Sequence, residues 1–139
     1  QRIDIWNASL ESIKVHPLLG VGIGNFPVVL NQRIFLSRAG SSAHNIYLHI
    51  ASEMGIPAMI LTVWFLWLVF KKSYENFILS FDPLMIIYFS ATILFVPWVL
   101  IYSLTDVALF DERSFLLFTT TIAIILANKN PAKSDGVFA

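Results

Sequence analysis

The second half of the chain is organised by three apolar stretches without a charged residue: Gly55 to Phe70, Leu84 to Tyr102 and Ser114 to Ala127. The first gives roughly 24 Å of helix at about 1.5 Å per residue, a little under a hydrocarbon core of about 30 Å. It can reach across if the preceding turn contributes. The second matches the length of roughly 20 residues that a span needs. Pro97 lies inside it and predicts a kink, tolerated where neighbouring helices satisfy the freed carbonyl. The third is short enough to suit either a span or a buried helix, and it follows Asp111, Glu112 and Arg113.

The first 54 residues read differently. Ile3, Trp6, Leu10 and Ile13 recur at helical spacing with Arg2, Glu11 and Lys14 off that stripe, which predicts an amphipathic helix. His16 precedes Pro17 and should end it. Gly20, Gly22 and Gly24 then alternate with Val21 and Ile23, permitting tight turns and close backbone approach. Asn31 to Ser42 reads as a loop. A second helix is expected over Ala43–Glu53, capped by Ser41 or Ser42, stopped by Gly55 and followed by a helix with Pro57 in its first turn.

Composition strengthens the membrane reading. Charged residues make up 13% of the 139 positions and hydrophobic ones 57%, with a mean hydropathy of +0.73, against roughly a quarter charged in ordinary soluble domains. The balance of 9 Lys+Arg and 9 Asp+Glu removes the basic footprint of a nucleic-acid binder, and the absence of Cys excludes disulfides, thiolate zinc sites and a cysteine nucleophile. Lys71 and Lys72 follow the first stretch and Lys129 and Lys133 follow the third, whereas Asp106, Asp111 and Glu112 lie between the second and third. The positive-inside rule places the lysines in the cytoplasm. The expected fold is therefore an all-α integral membrane helical bundle fragment. Residues 1–54 form an external, periplasmic segment, spans run over about 55–70, 84–102 and 114–127, and 129–139 form a cytoplasmic tail. Gln1 in place of Met, with no signal-peptide pattern after it, suggests a piece of a longer protein whose upstream transmembrane helices complete the bundle.

His44 falls in the first turn of the expected second helix, where the helix dipole opposes protonation and an imidazole can act as general base. Satisfying a loop carbonyl is the alternative role. Arg2, Arg33 and Arg38 could hold a diphosphate through their permanently charged forks, or could be solvated loop charges or contacts with lipid phosphates. His44 and His49 are about 140° apart around a helix and do not share a face. His49 and Glu53 do, and two ligands without a third suit a surface hydrogen bond better than a metal site. Asp106 and the 111–113 cluster fit an external cavity or a solvated turn equally well. The glycine run lacks the features of a nucleotide loop. Trp64, Trp67, Trp98, Tyr88 and Tyr102 are expected to face lipid or its interface.

Four blocks in order carry a resemblance: Arg2 with Trp6; His16-Pro17-Leu18-Leu19-Gly20-Val21-Gly22-Ile23-Gly24-Asn25-Phe26; Ala43-His44-Asn45-Ile46-Tyr47-Leu48; and Glu53-Met54-Gly55-Ile56-Pro57. Together they resemble the shared domain of bacterial O-antigen ligases and polymerases over about Arg2 to Phe70. From Lys71 onward only the hydropathy agrees, and Ala58 stands where a glycine is common. The resemblance implies an inner-membrane glycosyltransferase, independent of metal or other cofactor, that works at the periplasmic face. It would move a glycan from undecaprenyl diphosphate to an acceptor hydroxyl, with inversion at the anomeric carbon. It implies that His44 activates the acceptor and that Arg2 helps to hold the diphosphate; Arg33 and Arg38 join it only by charge and position. The acceptor would be lipid A core in a ligase or a second lipid-linked glycan in a polymerase. A noncatalytic membrane packing module is the reading from another class.

Overall fold

The computed structural model describes residues 2–34, 42–107, 109 and 112–128, and the side chains of 32–34 and 112 lie outside that description. The described residues are helical with connecting loops: α1 (Arg2–Val15), α2 (Phe26–Ile34), α3 (Ile46–Met54), α4 (Ile56–Leu79), α5 (Pro83–Tyr102) and α6 (Glu112–Ala127). The all-α reading holds, and α4 and α5 are long and apolar enough to cross a membrane, with α6 a shorter apolar helix.

Helices α4, α5 and α6 share one core. Leu66 and Val69 of α4 meet Phe89 and Val96 of α5 and Phe118 and Ile125 of α6. Outside this seam the two long helices are bare. Only 17% of the most apolar window of α4 and 22% of that of α5 is buried, and side chains as large as Trp64, Trp67, Leu94 and Trp98 stand exposed. Water would penalise such a surface, whereas lipid chains solvate it.

Three features differ from the sequence reading. Helix α4 does not stop at Phe70 but continues through Lys71 and Lys72 to Leu79. A charge marks the edge of an apolar band without breaking backbone hydrogen bonds, and here Lys72 Nζ lies 3.6 Å from Glu75 Oε2 one turn on. Buried Asn76 donates from Nδ2 to Ile125 O at 3.0 Å, tying the extension of α4 to the end of α6. The break comes at Ser80, after which Asp82 caps α5 by accepting from Leu84 N at 2.9 Å. Pro97 lies inside α5 without ending it.

The second correction concerns α1. Its limits are as expected, but the face it buries is not the apolar stripe. Ala8, Ser9 and Ser12 are buried, while Ile3 and Leu10 are 70% and 46% exposed. Helix α1 packs against α3, where buried Ser52 directs its Oγ to Ser9 O at 3.5 Å. Small side chains let two helix backbones approach this closely, so bulk is excluded from the contact. The third correction is α2, which occupies part of the stretch read as loop. It starts at Asn25, whose carbonyl accepts from Val28 N and Val29 N, with Pro27 in its first turn, where a missing N–H costs nothing.

Candidate active site

Helix α3 lies between the two long helices at one end of the bundle. At its start, Ile46 N donates to Ser103 O at 2.9 Å. Asn45 Nδ2 donates to Leu104 O at 3.1 Å, and Tyr47 OH to Leu100 O at 2.6 Å. Its other end runs into Gly55 and the first turn of α4. The antiparallel α4 and α5 therefore present the N-terminus of one and the C-terminus of the other to the same short helix. Burial pushes the Tyr47 phenol above its ordinary 10.0, which keeps it a hydrogen-bond donor.

His44 sits just before the residue that caps this helix. The cap is Asn45, with extended backbone (φ −163°) and a side chain that accepts from Leu48 N at 3.0 Å; Ser41 lies outside the described residues and Ser42 does not cap the helix. His44 is thus the residue before the N-cap of α3 rather than part of its first turn. Its φ of 47° makes it the one described residue other than glycine with positive φ. Such a conformation is held only when flanking contacts over-determine it, at a cost of order 1–3 kcal/mol. Those contacts are present on both sides. Ala43 is fully buried and its carbonyl accepts from Trp6 Nε1 at 3.0 Å; Asn45 is buried and bonded in two directions. The ring between these anchors remains half-buried.

Arg2 is the first residue of α1 and is exposed. It stands four residues before Trp6, hence on the same helix face one turn away, and Trp6 is the side chain that grips the backbone beside His44. Arg33 lies in the last part of α2, not in a loop, and its side chain is outside the described residues, as is the whole of Arg38. Asp106 turns inward on its own loop, accepting from Val107 N at 2.8 Å and from Tyr102 OH at 3.4 Å. Asp111 is outside the described residues. Trp98 and Tyr102 are exposed and stacked, centroids 5.0 Å apart, near the end of α5 that holds α3. That is where interfacial aromatics are expected.

The sequence predicts Glu53 as half of a surface pair with His49. It is instead buried, and its Oε1 accepts from Phe26 N at 3.2 Å, capping α2 from another helix. His49 Nε2 lies 3.8 Å from Glu53 Oε2, and its ring meets Phe26 edge-on at 5.3 Å. Among the described residues no group of three or more His, Asp or Glu is arranged to hold a metal ion. Glu53→Ala should cost about 1–3 kcal/mol by leaving a buried amide without its acceptor; a fall in the unfolding temperature of the purified protein in detergent checks this. Burial lowers the His49 pKa from 6.5, and the nearby Glu53 carboxylate opposes that shift without cancelling it. A base depressed in the fold binds fewer protons than in the unfolded chain. Its contribution is complete above 6.5 and is lost as pH falls below that value toward the folded pKa. The unfolding temperature should therefore decline on mild acidification, and His49→Gln should flatten the decline.

Asn45, Trp6, Tyr47 and Glu53 fix α3 and its neighbours through side-chain hydrogen bonds that the sequence reading does not assign to them. Asn45 carried a usable signal, since Asn ranks with the best helix caps. The acceptors of Trp6 and Tyr47 lie 37 and 53 positions away, and no local pattern points to them.

Residues 1–63 match the family model Wzy_C, described as O-antigen ligase. The matched segment contains α1, α2, α3, the His44 junction and the start of α4. No match was found among curated proteins.

Proposed function

We propose that this chain supplies the acceptor-activating part of a membrane glycosyltransferase of the O-antigen ligase type. His44 accepts the proton of an acceptor hydroxyl as that oxygen attacks the anomeric carbon of a glycan carried on undecaprenyl diphosphate. The bond from the anomeric carbon to the diphosphate oxygen breaks, and the leaving group departs with its negative charge, which Arg2 meets. The acceptor is a sugar hydroxyl of lipid A core, and the reaction runs at the periplasmic face of a bacterial inner membrane. The division of labour suits the chemistry: a glycosyl diphosphate already has a good leaving group, so the site needs a base for the incoming hydroxyl and fixed positive charge for the outgoing one.

One observation carries the reading. A histidine is held in the left-handed region between two buried anchors with its ring half-buried, at the end of a helix pair long and apolar enough to span a bilayer. Backbone held in a sparsely populated region between buried anchors is the kind of feature that clusters at active sites, and this supports the reading. The Wzy_C match over residues 1–63 supports a reaction of the O-antigen ligase class, and Arg2 stands one helical turn before Trp6, whose Nε1 donates to Ala43 O beside His44. Glycan transfer from a polyprenyl-diphosphate donor, measured in membranes carrying the His44→Ala protein, tests the proposal. Transfer at the wild-type rate removes the imidazole from the mechanism.

A further inference from the structure

We propose that the turn Leu18–Ile23 is a membrane-contacting element whose apolar side chains enter the lipid leaflet at which α4 begins. The proposal rests on the reading that α4 crosses a bilayer.

Leu18, Leu19 and Ile23 are 70%, 84% and 77% exposed, among the most exposed apolar side chains of the described residues. They belong to a run from Pro17 to Gln32 that contains no charged residue. The turn is not free to withdraw from the bundle. Pro17 O accepts from Ile56 N at 2.8 Å, Val21 N donates to Ser52 O at 2.9 Å, and Gly22 N donates to Glu53 O at 2.9 Å. At the two closest crossings no side chain fits: a Cβ on Gly20 would lie 2.3 Å from Glu53 C, and one on Gly55 would lie 2.2 Å from Leu18 O. The level of the turn along α4 is thereby fixed at the first residues of that helix.

This level is where the helix falls short. The uncharged part of α4, Ile56 to Phe70, covers about 22 Å at roughly 1.5 Å per residue, against a core of about 30 Å that the 20-residue α5 matches. The mismatch is relieved at one end by lysines, since Lys71 and Lys72 can extend their amines to the interface. At the other end, exposed Met54, Ile56 and Ile60 continue directly into the turn. Leu18, Leu19 and Ile23 add apolar surface beside the start of α4, where the helix alone is too short. A lipid surface is the occupant that this continuity selects.

The chain has no Cys, so single cysteines report cleanly. Leu19→Cys, Ile60→Cys and Asn7→Cys are spin-labelled in the full chain, reconstituted into phosphatidylcholine vesicles. The accessibility of each label to oxygen, which concentrates in lipid, is compared with its accessibility to a water-soluble nickel chelate. The expected oxygen-to-nickel ratio at position 19 approaches that at position 60 and exceeds that at exposed, polar position 7. A ratio at 19 equal to that at 7, with 60 still lipid-like, overturns the proposal and leaves the α4 span intact. An immobilised label at 19 shielded from both reagents means that protein covers the turn, and overturns it as well. A water-like ratio at position 60 overturns the span reading, and the proposal with it.

Discussion

Replacing His44 with Ala is expected to lower glycan transfer by about 10²–10⁴-fold, the range a positioned general base contributes, with little change in the amount of folded protein. The ring is half-buried and fills no core, whereas the anchors on either side act through backbone and through Asn45. The geometry at this position would survive the change, because the Trp6 bond goes to Ala43 O and the Asn45 cap goes to Leu48 N. His44→Asn is the sharper variant. Asn tolerates positive φ better than most residues and keeps a polar side chain, yet it has no basic nitrogen at neutral pH. Both variants should lose transfer alike while retaining the wild-type unfolding temperature. Wild-type transfer by the Asn protein would mean that the conformation matters and the imidazole does not.

The largest stability effect is expected at Gly55. Gly55→Ala places a Cβ 2.2 Å from Leu18 O and 2.5 Å from Leu18 C, both backbone atoms, at φ 87° and ψ 168°, a region other residues avoid. The conformational penalty alone is of order 1–3 kcal/mol, and separating two backbones also breaks the Ile56 N to Pro17 O bond. We expect a total above about 3 kcal/mol, in the range that marks a disrupted core or backbone, seen as loss of folded protein in detergent. Gly24→Ala is the control. Its φ is +78°, but no atom lies within 4 Å of the added Cβ, so it should lose only about 1–2 kcal/mol. If Gly55→Ala proves as mild as Gly24→Ala, the crossing of turn and helix is not tight.

These two positions also show what could be read in advance. Gly55 was legible as a helix stop, and α3 does end there with Gly55 N bonded to Ala51 O. The neighbour that forbids a side chain was not legible, because Leu18 approaches from 37 residues away. The apolar face of α1 failed for the opposite reason. The stripe was real, but the contact with α3 rewarded closeness of backbones over bulk, so Ala8, Ser9 and Ser12 went inside. The loop reading of Asn31 to Ser42 takes in the last turn of α2, and the acceptor that Glu53 of α3 supplies at the start of that helix has no local signature. The charge at Lys71 marks a change of solvent preference and not of backbone conformation, which is why α4 runs on to Leu79.

The sequence by itself determined the helical class, the presence of apolar helices of spanning length, and the stops at His16-Pro17 and Gly55. Each follows from local rules of hydropathy, proline and glycine stereochemistry, or residue chemistry, which act within a few positions of the chain. Only the tertiary structure decided which face of α1 is buried, what caps α2, and that His44 stands outside its helix in a left-handed conformation, flanked by contacts from α1 and from the turn that follows α5. Those features depend on atoms distant in sequence meeting at about 3 Å, and a hydrogen bond or a steric limit exists only once the fold has brought both partners together.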